Sequence, residues 1–453
     1  MTQYDYDLFT IGAGSGGTRA SRLAAQLGAR VAVAEEDRIG GTCVIRGCIP
    51  KKLLVYASEY AGHFKDAAGY GWTVEWARFD WARLRDNVQA EVSRLSGIYE
   101  TNIAKSGAEI ILDRAEIVGP HAIRLAGAGR TVTAERILVA TGGRVTRPVG
   151  IPGAEHAITS QEAFHLEQLP QRAVVVGGGY IALEFAQIFH GLGVDVTIVH
   201  RGSHLLRGFD DDVRAHVERE MRRAGVRILT DATVTAIEAV TDGYVARLSS
   251  GQALEAGVVL YATGRTPNVE GLGLESAGVR LTEAGAIAVD PYSRSSAPSV
   301  WAIGDVTNRV NLTPVAIREA VAFVETAFKD NPQAVDHAQI PTAVFCHPQV
   351  GVVGLSEAEA RVRHGKVDIY RTDFRPMKNI LAGAEARMLM KLVVRAADQV
   401  VVGVHVVGDA AAEIIQVAAI AVKAGLTKTQ WDATVALHPT VAEEIVLLRE
   451  KVA

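Results

Sequence analysis

Two cysteines five residues apart carry the most pointed chemistry in this chain. They stand in Gly40-Gly-Thr-Cys43-Val-Ile-Arg-Gly-Cys48-Ile-Pro50-Lys51-Lys52, just ahead of an apolar stretch with helical character. Thiols at that separation can close a short-loop disulfide. On reduction the small ring keeps them together, so re-closure is fast. A helix start, with Arg46, Lys51 and Lys52 alongside, is expected to lower their pKa values and favour the reactive thiolate. Metal binding is the competing chemistry, but it finds only two thiolates here. The third cysteine, Cys346, is remote and no histidine is near in sequence, so no metal site is expected.

A redox pair needs an electron source, and two glycine-rich turns offer one. Gly12-x-Gly14-x-x-Gly17 lies between a short apolar strand, Asp7–Ile11, and a helical pattern rich in Ala, Leu and Arg, Thr18–Leu27. The first glycine makes the tight turn and the second lets the backbone approach a pyrophosphate. The third lets the helix pack on the strand, and the helix N-terminus faces the phosphates. A lone match would be weak and could be a structural turn. Its setting strengthens it, as does Glu35, 23 residues after Gly12 at the end of the next strand, where a carboxylate suits a ribose diol. The cycle recurs at Ala173–Val176, Gly177-x-Gly179-x-x-Ala182, Leu183–Gly191 and Asp195–Val199. There the same count lands on His200, followed by Arg201 and, six further on, Arg207. The missing carboxylate removes a diol acceptor, and arginines suit a 2′-phosphate, so NADPH is expected rather than NADH. The plainer alternative is that these arginines form a solvated face.

The elements that must position these residues follow from pattern. Ile137–Gly143 and Val258–Gly264 both read as strands ending in Ala-Thr-Gly, each closing one nucleotide-binding unit. Pro148, Pro152 and Gly153 mark the way into the second unit, and Pro267 and Asn268 the way out. Asn87–Lys105 reads as a long amphipathic helix, and Leu229–Leu248 as short strands with turns. After Pro341 the texture changes: Ala343–Phe345, Val350–Gly354, Asp368–Thr372, Met388–Val394 and Val400–Val407 read as strands, and Ser356–His364, Ala411–Ala424 and Thr440–Glu450 as helices. The expected fold is α/β, with two doubly wound Rossmann-like dinucleotide-binding domains and a C-terminal α+β domain. The length of 453 residues agrees, at about 150 residues per domain.

Composition narrows the function classes. Apolar residues at 48% and charged residues at 22% describe a globular protein, not a disordered one. A formal charge of −4 gives no basic excess for nucleic acid or an anionic membrane. No apolar stretch reaches the ~18 residues of a membrane span. Three cysteines are too few for a secreted disulfide scaffold, and Met1–Asp7 has neither a basic n-region nor an apolar h-region. A reducing, cytoplasmic compartment is the expected location, where a disulfide is catalytic rather than structural.

Taken together, Gly-Gly-Thr-Cys-x-x-x-x-Cys-x-Pro-Lys-Lys, the two fingerprints and His438-Pro-Thr-x-x-Glu443 resemble the pyridine nucleotide–disulfide oxidoreductase family over essentially the whole chain. Within it the chain is most similar to the branch that reduces glutathione disulfide. Pro50-Lys51-Lys52 is that branch's form, whereas dihydrolipoamide dehydrogenases usually carry Pro-Ser-Lys and would want NAD. Mercuric reductases and large thioredoxin reductases need a C-terminal Cys or selenocysteine pair, and this sequence ends Leu448-Arg-Glu-Lys-Val-Ala453. The rival from another class is a flavin-binding scaffold or redox sensor without turnover.

The resemblance implies bound FAD, a homodimer with shared active sites, and these roles. Trp301-Ala-Ile-Gly-Asp305 is similar to the second flavin motif, with Asp305 accepting from the ribityl chain and Leu312-Thr313-Pro314 at the isoalloxazine edge. Thr42, Thr141, Gly142 and Gly264 also fall in the cofactor sites, and Tyr180 at the gate of the NADPH site. Cys48 faces the flavin, with Lys51, paired with Glu184, near its reactive nitrogen. Cys43 attacks the substrate. His438, oriented by Glu443 and contributed by the other subunit, is the general acid/base. Ser15, Arg22 and Tyr99 contact the tripeptide, Arg22 suiting its glycine carboxylate. One departure stands out: an arginine expected in the helix after Leu312-Thr-Pro-Val-Ala316 is replaced by Val321, with Arg318 nearby. The expected domains are 1–143 for FAD, 144–266 for NADPH, 267–338 returning to the FAD domain, and 339–453 for dimerisation.

Overall fold

The computed structural model describes residues 4–452, and the chain divides into two compact units. The first comprises Met1–Lys51, Arg85–Thr146 and Gly264–His337. The second comprises Lys52–Leu84, Arg147–Thr263 and Ala338–Ala453.

In the first unit, strand Tyr6–Ile11 lies between Val31–Glu35 and Arg130–Val139. Glu109–Leu112 and Val300–Ala302 extend the sheet on either side, every pairing parallel. The N-terminal half of Arg130–Val139 pairs instead with an antiparallel ribbon, Ala115–Gly119 and Ala122–Leu125. Both faces of the parallel sheet are covered, which is why its strands are near-continuous apolar runs. Leu8, Val33 and Leu138 pack on one side with Ile103, Trp301 and Phe323. Phe9, Ile11 and Val139 pack on the other with Ile117, Ile123 and Leu125. Helix α1 (Ser15–Gln26) follows the first strand and α2 (Gly41–Arg46) the second; of α3 (Cys48–Ala67) only the first turn, and of α4 (Trp81–Lys105) all but the first turn, belong to this unit. α4 begins six residues before its expected start, because the Asp80 carboxylate accepts the Arg83 N–H at 3.0 Å and caps it.

The second unit repeats the logic in a four-stranded parallel sheet ordered Arg227–Leu229, Asp195–Val199, Arg172–Val176, Val258–Tyr261. An antiparallel meander, Val234–Val240, Gly243–Leu248 and Ala253–Ala256, adjoins it. A five-stranded antiparallel sheet follows, ordered Thr342–Val344, Val350–Gly354, Val401–Val407, Met388–Arg395, Val367–Phe374. Helix Ala411–Lys423 packs on it so closely that a Cβ on Gly351 would lie 2.5 Å from the Ala411 carbonyl.

Two sequence expectations need correction. The Ala-Thr-Gly segments are turns rather than strand ends; the strands stop at Val139 and Tyr261, and Gly142 takes φ +70°. Thr440–Glu450 is not one helix. Thr440 caps a single turn, Val441–Glu443, and Glu444–Leu447 follows it. The chain then turns away, so that the Val452 N–H donates to the Ile369 carbonyl and Lys451 pairs with Asp368 at 2.8 Å. Among the described residues no helix is long and apolar enough to cross a membrane.

The second unit also holds a buried charge cluster. Lys391, 1% exposed on Met388–Arg395, donates to Asp210 at 2.8 and 3.0 Å, to Asp212 at 2.7 Å and to Glu357 at 2.8 Å. Burial opposes its charge, but the three carboxylates outweigh that and hold its pKa above the ordinary lysine value. Lys391→Met would leave the buried Asp210 without its cation, while Asp212 keeps Arg371 and Glu357 keeps Arg361. Urea unfolding is expected to show a loss of about 3–5 kcal/mol, the scale of breaking a buried ion pair from one side. A loss below about 1 kcal/mol would mean that the cluster is solvated like a surface pair.

Candidate active site

The turn between the first strand and α1 is built around its glycines. Gly12 has φ +101°, and a Cβ there would lie 2.6 Å from the Ala140 carbonyl; one on Gly17 would lie 1.9 Å from the Gly12 carbonyl. Strand, turn and helix therefore pack backbone to backbone. Gly14 stands at the start of α1 with no side-chain cap, so the first amides of the helix are available to an anion. Glu35 is positioned by the Ala13 N–H at 2.9 Å and the Asp37 N–H at 3.1 Å, and burial pushes its carboxyl pKa up. Thr141 donates to the Asn268 carbonyl at 2.7 Å. Arg265 donates to the Gly143 carbonyl, reaches Thr42 at 3.5 Å and lies 3.8 Å from Asp305, whose pKa burial also raises. An uncapped helix start in a glycine cradle, with a carboxylate at the next strand's end, fits a dinucleotide with a pyrophosphate and a ribose diol.

Beneath the Gly304-Asp305 turn lies a group that the sequence reading missed. Glu319, fully buried on helix Thr313–Phe328, accepts the Gly304 N–H at 2.7 Å and pairs with Arg309 at 2.9 Å and His337 at 2.7 Å. It fixes the loop that carries Asp305. The signal available was a carboxylate among the mostly apolar residues of this helix, which must find partners when buried.

The two thiols come together in the first unit. Cys43 is the third residue of α2 and half-buried; Cys48 opens α3 and is exposed. Gly47 makes the elbow between them, where a Cβ would lie 2.6 Å from the Thr42 carbonyl. Gly41 passes so near Gly14 that its own Cβ would lie 2.5 Å from the Gly14 Cα, which ties the pair to the dinucleotide turn. Thr313 Oγ1 is 3.8 Å from Cys48 Sγ. Both thiols were expected to have lowered pKa values. For Cys43 the direction is the reverse: its hydrogen bond with Cys48 and then burial push it up, and Thr313 and Lys51 only partly oppose them. Two thiols in contact share a charge, so the second proton is hard to remove. The other expected cations are engaged elsewhere, Arg46 with Asp37 and Lys52 over the rings of Phe345 at 4.0 Å and Tyr56 at 4.7 Å.

Ser15, Arg22 and Tyr99, named from the sequence as substrate contacts, line one cavity of about 290 Å³ in this unit. Arg22 Nε is buried with no hydrogen-bond partner, so the guanidinium has a donor to offer. Tyr99 has its phenol pKa raised by burial and then by the nearby Cys43, while Arg22 lowers it. The cavity and the thiols are thus electrostatic neighbours. Helix Thr313–Phe328 contributes Ile317 to the lining and not Arg318.

In the second unit Gly177 has φ +142°, and a Cβ there would lie 2.4 Å from the Ala262 carbonyl. Gly179 faces open space at the uncapped start of helix Tyr180–Gly191, with Ala182 buried and Tyr180 47% exposed. His200 packs its ring under Gly178; burial and then Arg201 lower its pKa, with Arg207 adding to the effect. Arg201 and Arg207 are exposed, and neither is in an ion pair among the described residues. Glu184 is buried and accepts the Phe345 N–H at 2.9 Å. Gly264, φ +143°, falls in the first unit, where its carbonyl accepts the Thr146 N–H at 3.0 Å. His438 Nδ1 lies 3.1 Å from Glu443, the ring largely in solvent and the carboxylate mostly buried. That contact holds one ring nitrogen and leaves Nε2 facing outward.

Comparison with known proteins agrees with this construction. Residues 6–320 match the family model described as pyridine nucleotide-disulphide oxidoreductase, and residues 340–449 match that family's dimerisation domain. Among curated proteins the chain is 50% identical to glutathione reductase of Burkholderia cepacia, all of both chains being covered. It is 49% identical to glutathione reductase of a Nostoc species, over 98% of this chain and all of that one. With the chloroplastic/mitochondrial glutathione reductase of Pisum sativum it shares 47% identity, over 99% of this chain and 83% of that one. With both family models matched in order and full-length relatives at half identity, this chain belongs to the pyridine nucleotide-disulphide oxidoreductase family.

Proposed function

We propose that this protein reduces glutathione disulfide to two molecules of glutathione at the expense of NADPH, as a homodimer. The observation that carries the reading is the Cys43–Cys48 pair beside a cavity with Arg22 and Tyr99. FAD would be held by Gly12, Gly14, Ser15, Gly17, Glu35, Thr42, Thr141, Gly142, Asp305 and Thr313. NADPH would be held by Gly177, Gly179, Tyr180, Ala182, Arg201, Arg207 and Gly264. Bound FAD supplies the relay that turns hydride from NADPH into the electron pair that opens the Cys43–Cys48 disulfide.

The chain's own residues do the rest. His438 takes the proton of the Cys43 thiol, and the resulting thiolate attacks one sulfur of the substrate. The substrate S–S bond breaks, a mixed disulfide forms, and one glutathione leaves as thiolate, protonated by His438. Cys48 then attacks the Cys43 sulfur, the protein disulfide re-forms and the second glutathione leaves. The electron pair of the dithiol ends in two substrate thiols. The raised Cys43 pKa makes this base necessary, because the hydrogen bond with Cys48 and burial hold the proton on Cys43. Lys51 places a cation by Cys48. Glu443 holds the His438 ring for its proton transfer.

The proposal includes the division of the chain into 1–143, 144–266, 267–338 and 339–453. It also includes a cytoplasmic location, which a cysteine count of three, too low for a secreted disulfide scaffold, supports. Steady-state NADPH oxidation with and without glutathione disulfide tests the reading directly. A flavoprotein that binds both nucleotides but shows no disulfide-dependent turnover would be a sensor or scaffold instead.

Coenzyme choice gives a further expectation. Arg201 and Arg207 are exposed, so each contact to a 2′-phosphate is discounted for solvent and is worth on the order of tenfold in affinity. Replacing both with neutral residues should raise the Michaelis constant for NADPH roughly a hundredfold, if the two act independently. That for NADH should stay nearly unchanged. Equal loss with both coenzymes would assign the arginines to the fold.

A further inference from the structure

The cavity that holds Ser15, Arg22 and Tyr99 has one charged residue with no role so far. Arg19 lines it too, one helical turn beyond Ser15 on α1, and is exposed. Ser15, Arg19 and Arg22 stand at i, i+4 and i+7, a single stripe of that helix. We infer that Arg19 is a second carboxylate-binding residue for glutathione disulfide and sets this enzyme's affinity for it; the inference rests on the reductase reading above.

Three observations carry it. First, the lining brings two guanidinium groups three residues apart and no carboxylate. Like charges at that spacing repel, and an anionic ligand relieves them. Second, the usual neutralisation is missing. Arg30 pairs with Asp7 at 2.7 Å and Arg94 with Glu91 at 2.7 Å, whereas among the described residues Arg19 has no carboxylate partner. The orphaned Arg22 Nε points the same way. Third, helix Thr313–Phe328 turns Ile317 to the cavity, with Val321 one turn further on and Arg318 off the lining, so it brings no positive charge. Each half of glutathione disulfide has two carboxylates and one ammonium. Arg22 answers one carboxylate, and Arg19 is left to answer the other.

The test is a charge series, Arg19→Lys, Arg19→Gln and Arg19→Glu, with the Michaelis constant for glutathione disulfide measured at low and high salt. Arg19 is exposed, so the series should fold. The constant should rise in that order, about tenfold for Arg19→Gln. The turnover number at saturation should move far less, and the differences should shrink at high salt. A flat series, or one indifferent to salt, overturns the inference while the reductase reading stands. If the unmodified protein shows no glutathione-disulfide-dependent NADPH oxidation, the reductase reading fails and takes the inference with it.

Discussion

Cys48→Ser is expected to abolish turnover with glutathione disulfide and to remove a long-wavelength absorbance band, while Cys43→Ser abolishes turnover and keeps the band. Both losses should be on the order of 10⁴-fold or more, the scale of deleting a residue that forms a covalent intermediate. The asymmetry follows from position. Cys48 opens α3 directly ahead of Pro50 and Lys51 and has Thr313 Oγ1 3.8 Å from its sulfur. With Cys43 gone, its thiolate no longer shares charge with a neighbour and can face the oxidised flavin, the contact that gives such a band. Cys43 sits within electrostatic reach of Tyr99, on the cavity side. Absorbance spectra of the two purified variants, with oxidised flavin bound, decide the matter. A band kept in Cys48→Ser and lost in Cys43→Ser would reverse the two roles. Undiminished reduction in either variant would make the pair structural.

The second large effect concerns His438. Its ring is held by Glu443, and its side chain is 81% exposed. Around it Val435 and Leu437 are also exposed, in the segment matched by the dimerisation domain. An oriented imidazole on an apolar, outward-facing loop is what a subunit that serves its partner would present. His438→Gln should lose roughly 100- to 10,000-fold in turnover, the range for a general acid–base group. Mixing it with Cys43→Ser separates the alternatives. In a heterodimer with crossed sites, one site collects both lesions and the other has none, so each heterodimer should regain half the activity of the normal dimer. Subunit exchange with no recovery would mean that His438 acts within its own chain or not at all.

The residues whose spacing is local were legible from sequence. Asp195–Val199 and Val350–Gly354 have the bounds that their apolar patterns gave. The glycines at 12, 17 and 177 lie where a side chain would strike a carbonyl. Ser15, Arg22 and Tyr99 do line one cavity, although that reading came through family resemblance rather than periodicity. What escaped depends on partners outside the residue's own element. Glu319 needs Arg309, His337 and the Gly304 amide, and Lys391 answers Asp210, 181 residues earlier. Neither leaves a periodic trace, since a buried ion pair is specified by geometry and not by spacing. The Cys43 pKa escaped for a related reason: nearby cations were counted, but the thiol's closest neighbour is another thiol.

The Lys391 cluster bears on how far this protein is modular. A parallel sheet with a glycine fingerprint looks like a cassette that could be exchanged between relatives to change coenzyme choice. Yet Asp210 and Asp212 belong to that cassette, while Lys391 belongs to the antiparallel sheet and Glu357 opens the helix Glu357–His364 that follows its strand Val350–Gly354. A chimera that takes one and not the other would bury acid without its base, or a base without its acid. Recombination here has a grammar: cuts at the proline-rich linkers are permitted only when the lysine and its three carboxylates travel as a matched set.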